Sequence, residues 1–265
     1  MRIDYNEEKS AWETLSYFRK EVITYINNPF VCIITGEDLT FPNQVDIRWR
    51  EPKQLELIKS TYMDIINHPL LIHCYIENRD STHIKTSSIP IGINPREMPN
   101  HNNDYIIKYM NNYSSINSRD LKVISIHRMR HGDREIINDL NIKYWSNFVI
   151  NNGNYSNDSW WELLQTYPFI ICAHGGGLDP CPKVWEALCV GCIPIIKHSA
   201  LDDIYLNFPV VFVDNWEPNT ITLEKLLGWR EKYSKYYDNP DLRKLWIDKL
   251  YLNFWENKIK SHFIH

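Results

Sequence analysis

Between His174 and Glu186 the chain reads HGGGLDPCPKVWE, a stretch whose residue types suit close contact with a polar, anionic guest. Gly175, Gly176 and Gly177 are three consecutive glycines, which let a backbone approach a partner that side chains would hold off. They follow the apolar run FIICA and precede the helix-like run KVWEALC. Exposed amides at a helix start attract anions, and phosphate is the natural guest. The stretch is neither a Walker loop nor the dinucleotide fingerprint G-x-G-x-x-G, so a tight strand-to-helix turn without ligand competes with this reading. Close by, Cys189 and Cys192 spell C-x-x-C, the spacing of half a zinc site or a redox pair. With no second pair at suitable spacing, core packing is the preferred reading.

The elements that must position these residues alternate between strand and helix, the pattern of parallel sheets covered by helices, so an α/β fold is expected. An amphipathic helix over about 10–26 leads into FVCIITG, and a helix near 52–66 leads into LLIHCYIE, with SIPIGI as a third strand. NPREMPNHNNDYIIKYMNNYSSINSRD is rich in Asn, Ser and Pro and suits a connector with one embedded helix. The expected division is therefore 1–118 and 119–265. In the second part LKVISIH, GDREIINDL, DSWWELLQTY, FIICAH, PKVWEALCVG, CIPIIKH and VVFVD repeat the alternation. Two βαβ units facing each other hold ligands at the carboxyl ends of their strands. The remainder reads as two helices broken at Asn239-Pro240, with Trp229, Trp246 and Trp255 as packing anchors and with the last helices free to pack back on the first part.

Size and charge exclude several function classes. A chain of 265 residues, 43% hydrophobic, can bury a sizeable core, and a net charge of −4 with dispersed cations argues against nucleic acid as a partner. No apolar run reaches the roughly 20 residues of a membrane span, and MRIDYNEEKSAWETL lacks a signal core, so a cytoplasmic location is expected. Six cysteines within mostly apolar segments read as reduced core thiols.

HGGGLDPCPKVWEAL, followed by GCIPII and FPVVFVDNW, resembles the exostosin-like glycosyltransferases, in particular short soluble members of large algal viruses and microbes. VCIITGED, HPLLIHCYIEN and SIPIGIN are similar to amino-terminal landmarks of those members, so the resemblance runs from Val31 to Trp216. It implies a GT-B architecture of two Rossmann-like domains with a UDP-sugar donor held mainly by the second and a glycan as acceptor. By the same resemblance Glu186 grips the ribose hydroxyls, a task for which a carboxylate accepting two hydrogen bonds is suited. His174 and the amides of Gly175 to Gly177 lie near the diphosphate, with Asp179 and Lys183 ordering the loop or reaching the donor. Many members carry Arg where this chain has Lys183, which lacks the bidentate fork.

Further residues acquire roles within that expectation. In SIHRMRHGDRE, Arg128 and Arg130 would offset charge on a departing nucleoside diphosphate in place of a metal ion, sharing a face if the strand persists that far. Arg134 belongs to the following helix and reads as structural. No two aspartates are separated by one residue, so the D-x-D of metal-dependent transferases is lacking; Asp202-Asp203 reads as an acidic helix start. An inverting, metal-independent transfer without further cofactor is expected. Its base should come from the first part, with Asp38 in TGEDLTF leading and Glu37 and His83 in reserve. Tyr144, Trp145, Trp160 and Trp161 are candidates for stacking on uracil or sugar, though Trp160 and Trp161 open a helix and at least one suits the core. Donors such as UDP-xylose, UDP-galactose, UDP-glucuronate and UDP-N-acetylglucosamine all remain open. So do two rival readings, a nucleotide-sugar epimerase or hydrolase of the same shape and a nucleotide- or glycan-binding module without turnover.

Overall fold

The computed structural model of the chain describes residues 2–3, 11–35, 40–43, 52–93, 103–112, 114–129, 131–151, 153, 155–175 and 177–263. Short apolar runs become parallel strands because, buried on both faces, such strands need no polar alternation. β1 (Arg2–Ile3), β2 (Phe30–Ile34), β3 (Leu71–Ile76) and β4 (Thr86–Ser88) form one parallel sheet in that order. A second parallel sheet contains β5 (Val123–Ile124), β6 (Val149–Ile150), β7 (Phe169–Cys172), β8 (Ile193–Lys197) and β9 (Val211–Val213), in the order β6-β5-β7-β8-β9. The chain is thus α/β with two parallel sheets, a layout compatible with two Rossmann-like parts.

The helices are α1 (Ala11–Tyr17), α2 (Pro52–Ile66), α3 (Asn103–Asn111), α4 (Asp133–Lys143), α5 (Asn157–Thr166), α6 (Lys183–Cys189) and α7 (Asp202–Tyr205). The last three are α8 (Leu223–Asp238), α9 (Pro240–Ile247) and α10 (Leu252–Lys260). In α2 the buried Ile58, Thr61, Tyr62, Ile65 and Ile66 recur at helical spacing, and its isoleucines pack with Cys32, Leu71 and Ile76 of the first sheet. The larger core lies around the second sheet and holds Trp145, Trp161, Trp185 and Tyr237.

Three elements differ from the sequence expectation. The strand expected at SIPIGI is instead β4, Thr86–Ser88, because Pro90 has no amide to give the ladder. β5 ends at Ile124, so Arg128 lies in a loop and strand alternation places no face for it. The chain end does break at Asn239-Pro240: Asn239 Oδ1 accepts from the amides of Asp241 at 3.0 Å and Leu242 at 3.1 Å, and Pro240 opens α9. Beyond it, however, the expected second helix is interrupted by a 3-10 turn at Asp248–Leu250.

That interruption redirects the chain. α8 and α9 pack on the second core through Leu226, Tyr237 and Trp246, whereas α10 lies on the first sheet, where Trp255 packs with Val31 and Tyr75. Tyr75 Oη is 2.9 Å from His262 Nε2, and the His262 ring stacks on His73 at 4.8 Å. The two sheets meet again where Arg79 ion-pairs with Asp203, which also accepts from Ser88 Oγ at 2.8 Å. Asp202, its neighbour, accepts from the Ser199 amide at 2.9 Å and faces His198 Nδ1 at 2.6 Å. Both members of the acidic pair are therefore engaged in structural contacts.

Candidate functional site

The order of the second sheet contains a reversal. From β5 the chain moves outward to β6, then crosses back to β7 on the other side of β5. Such a reversal leaves a crevice outside the carboxyl ends of the two strands, the usual ligand position in an open parallel sheet. Here it opens between the segment after Ile124 and the segment after Cys172. Among the described strands the first sheet runs in simple sequence and has no such reversal.

A buried and a half-buried cation fix the backbone on both sides of this crevice. Arg134, on α4, donates from Nε to the His174 carbonyl at 3.1 Å and from Nη1 to the Arg128 carbonyl at 3.2 Å. Its role is structural, holding two loops together. Lys183 donates to the Ile126 carbonyl, and its ammonium lies 5.6 Å from the centre of the Trp160 ring. Trp160 Nε1 in turn donates to Glu186 Oε2 at 2.8 Å. Three residues apart on α6, Lys183 and Glu186 share a face, and Glu186 is 8% exposed, unlike an ordinary surface glutamate.

The glycine turn is organised differently from the expectation. The Gly175 amide donates to the Asp179 carbonyl at 2.9 Å, and Asp179 Oδ1 accepts from the Cys181 amide at 2.9 Å. The segment thus folds on itself, Cys181 adopts φ 69°, and α6 begins only at Lys183 with seven residues. The Gly175 amide is therefore bonded within the turn, and α6 is short. Yet glycine at 175 is not demanded by the protein. A Cβ there would meet Arg134 Nη2 and the Asp179 carbonyl at 3.7 Å, an ordinary contact. Gly177 is half-buried.

His174 is the most constrained side chain of the group. Its Nδ1 lies 3.3 Å from Asp133 Oδ2, and Asp133 Oδ1 holds Lys197 Nζ at 2.6 Å. Burial pushes the imidazole below its ordinary range, with Asp133 opposing. His127, on the loop after β5, is pushed down to about 4, chiefly by burial. Its Nε2 faces the Arg134 carbonyl at 3.3 Å. Nothing in the spacing of SIHRMRH singles out His127, because its burial depends on α4 folding over the loop.

Across the crevice stands the first sheet. The Leu178 amide donates to Thr40 Oγ1 at 3.2 Å, so the loop after β7 touches the loop that follows β2. Alongside, a narrow gap separates Arg79, Ser88 and Pro90 from Trp185, Ile204 and Tyr205. Asp38, Glu37, Arg130 and Gly176 lie outside the described residues. The Arg128 side chain is exposed, and only its carbonyl is tied into the crevice. His83 sits in the turn before β4, where it accepts at Nδ1 from the Lys85 amide at 3.2 Å, on the side where that strand begins. The carboxyl-end crevice is therefore not its place.

Of the four aromatic candidates only Trp160 joins the site. Tyr144 points to solvent, Trp145 is buried with Nε1 donating to the Pro218 carbonyl at 3.0 Å, and Trp161 is buried beside Tyr109. Cys189 and Cys192 are buried, and burial raises each thiol to about 12, as expected of core cysteines. Among the described residues no three His, Cys, Asp or Glu side chains are grouped so as to hold a metal ion. No helix of the described residues is long and apolar enough to cross a membrane. Compared with models of protein families and with curated proteins, the chain matches none.

Proposed function

We propose that this chain is a glycosyltransferase that moves a sugar from a UDP-sugar donor to a hydroxyl of a glycan acceptor, inverting and without a metal ion. The observation that carries the reading is the strand reversal between β5 and β7, with Lys183, Trp160 and Glu186 joined beside it and the carboxyl end of the first sheet facing it through Thr40 and Leu178. A two-substrate reaction needs such a crevice, with donor and acceptor approached from opposite walls.

Within this proposal Glu186 holds the ribose diol while Trp160 keeps one of its oxygens in place. Asp179 orders the turn through the Gly175 amide, and Gly175, Gly176 and Gly177 are the positions at which the backbone would admit the donor. Lys183 acts by holding the Ile126 carbonyl, and Arg128 and Arg130 meet the leaving diphosphate. Asp38 takes the proton from the acceptor hydroxyl as its oxygen bonds to the anomeric carbon; the bond from that carbon to the diphosphate breaks, and UDP leaves with the electron pair.

The test is a thermal-shift panel of UDP, GDP, CMP and UDP-sugars with EDTA present, because a ligand that binds only the folded state raises its melting point. UDP and one UDP-sugar should raise it, and Glu186→Ala should remove the shift. A wild-type protein that responds to no nucleotide would refute the reading.

A further inference from the structure

Two ring nitrogens are buried at the carboxyl end of the second sheet without a hydrogen-bond partner, Nδ1 of His127 and Nε2 of His174. The surroundings of His174 determine what its nitrogen can bind. At Nδ1 stands Asp133 Oδ2, at 3.3 Å but off the line of a hydrogen bond, since that oxygen is itself unpartnered. The carboxylate beside Nδ1 can only accept, so Nδ1 carries the hydrogen and the neutral ring presents a lone pair at Nε2.

A lone pair does not suit a phosphate oxygen, which is an acceptor as well; it suits a hydroxyl. The charged groups facing the ring are Asp133 and Asp202, which favour its protonation, and Lys197, which opposes it; burial outweighs the carboxylates. His174 is 7% exposed, and a buried, unpaired acceptor costs about 1–3 kcal/mol until a donor reaches it.

We propose that Nε2 of His174 accepts a hydrogen bond from a sugar hydroxyl of the donor, so that this position recognises the glycosyl group rather than the diphosphate; the inference rests on the transferase reading above. Asp133 is a positioning residue, keeping the hydrogen on Nδ1 and the lone pair on Nε2.

Calorimetric titration of wild type and His174→Leu with UDP, UDP-glucose, UDP-galactose, UDP-xylose and UDP-N-acetylglucosamine tests this. The variant should weaken the accepted UDP-sugar about tenfold and leave UDP within about twofold. Equal weakening of both ligands places the ring at the diphosphate and overturns the proposal. A wild type that binds neither UDP nor any UDP-sugar removes the transferase reading, and this inference with it. Should His174→Leu fail to fold, long-range nitrogen-15 spectra of the wild type decide. Nε2 unprotonated at pH 7 and shifted by the UDP-sugar but not by UDP is the expected result, and Nε2 protonated when UDP is bound overturns it. Asp133→Asn should move the ring hydrogen to a mixture of the two nitrogens; an unchanged tautomer removes Asp133 from its role.

Discussion

Arg79 and Asp203 join the two sheets, and their unequal burial predicts unequal effects of breaking the pair. The Arg79 side chain is 10% exposed, whereas Asp203 is 40% exposed. Removing the carboxylate leaves a buried guanidinium with neutral partners only, Ser88 Oγ at 3.1 Å, Thr86 Oγ1 at 3.5 Å and the Ser81 carbonyl. Removing the guanidinium leaves a carboxylate that keeps Ser88 and gains water. Full burial of a broken pair costs about 3–5 kcal/mol and full exposure less than about 1 kcal/mol. Asp203→Asn should therefore destabilise by about 2–3 kcal/mol and Arg79→Met by about 1 kcal/mol, with a coupling of about 1–2 kcal/mol in the double-mutant cycle. Urea unfolding measures all three, and the first variant should melt about 4–10 °C lower. A coupling within about 0.3 kcal/mol of zero, or a larger loss for Arg79→Met, refutes the argument.

His73 and His127 are each lowered to about 4, mainly by burial, from an ordinary value of 6.5. The unfolded chain thus binds protons first, and stability should fall as pH drops from about 6.5 to about 4. His73→Gln should flatten that fall in urea midpoints taken across the window, and an unchanged slope argues against it. The buried thiols Cys172, Cys189 and Cys192 should resist a thiol reagent at pH 8 until urea unfolds the chain; rapid native labelling contradicts their placement. Tyr237 Oη donates to the Pro209 carbonyl at 2.8 Å from a fully buried ring, so Tyr237→Phe should lose about 1–2 kcal/mol in the same assay. A loss below about 0.3 kcal/mol would show that bond to be dispensable.

Local sequence was informative wherever one segment's pattern determines its environment. FIIC and IPII are continuous apolar runs because both faces of β7 and β8 are covered, and the Asn239-Pro240 break carries its own cap. β1 and β6 have two residues each, too few to generate a period. The periodicity around Trp255 predicts burial but does not say against which sheet. At the site, the glycine turn, Lys183 and Glu186 stand out because they lie close together in the chain. The contacts that define their surroundings link distant residues: His174 with Asp133, Lys183 with Ile126, Trp160 with Glu186. Such pairs are created by strand order, which no short window encodes.

The return of α10 to the first sheet also sets an order of events during synthesis. Tyr75 meets His262, a partner 187 positions further along the chain. At roughly 5–20 residues per second, the face of β2 and β3 that carries Val31 and Tyr75 waits roughly ten to forty seconds for its cover. During that interval the nascent first half presents an unfinished apolar surface to whatever binds emerging chains. Truncated products that stop before α10 should therefore be recognised by holding chaperones, even though every strand of both sheets has already been made.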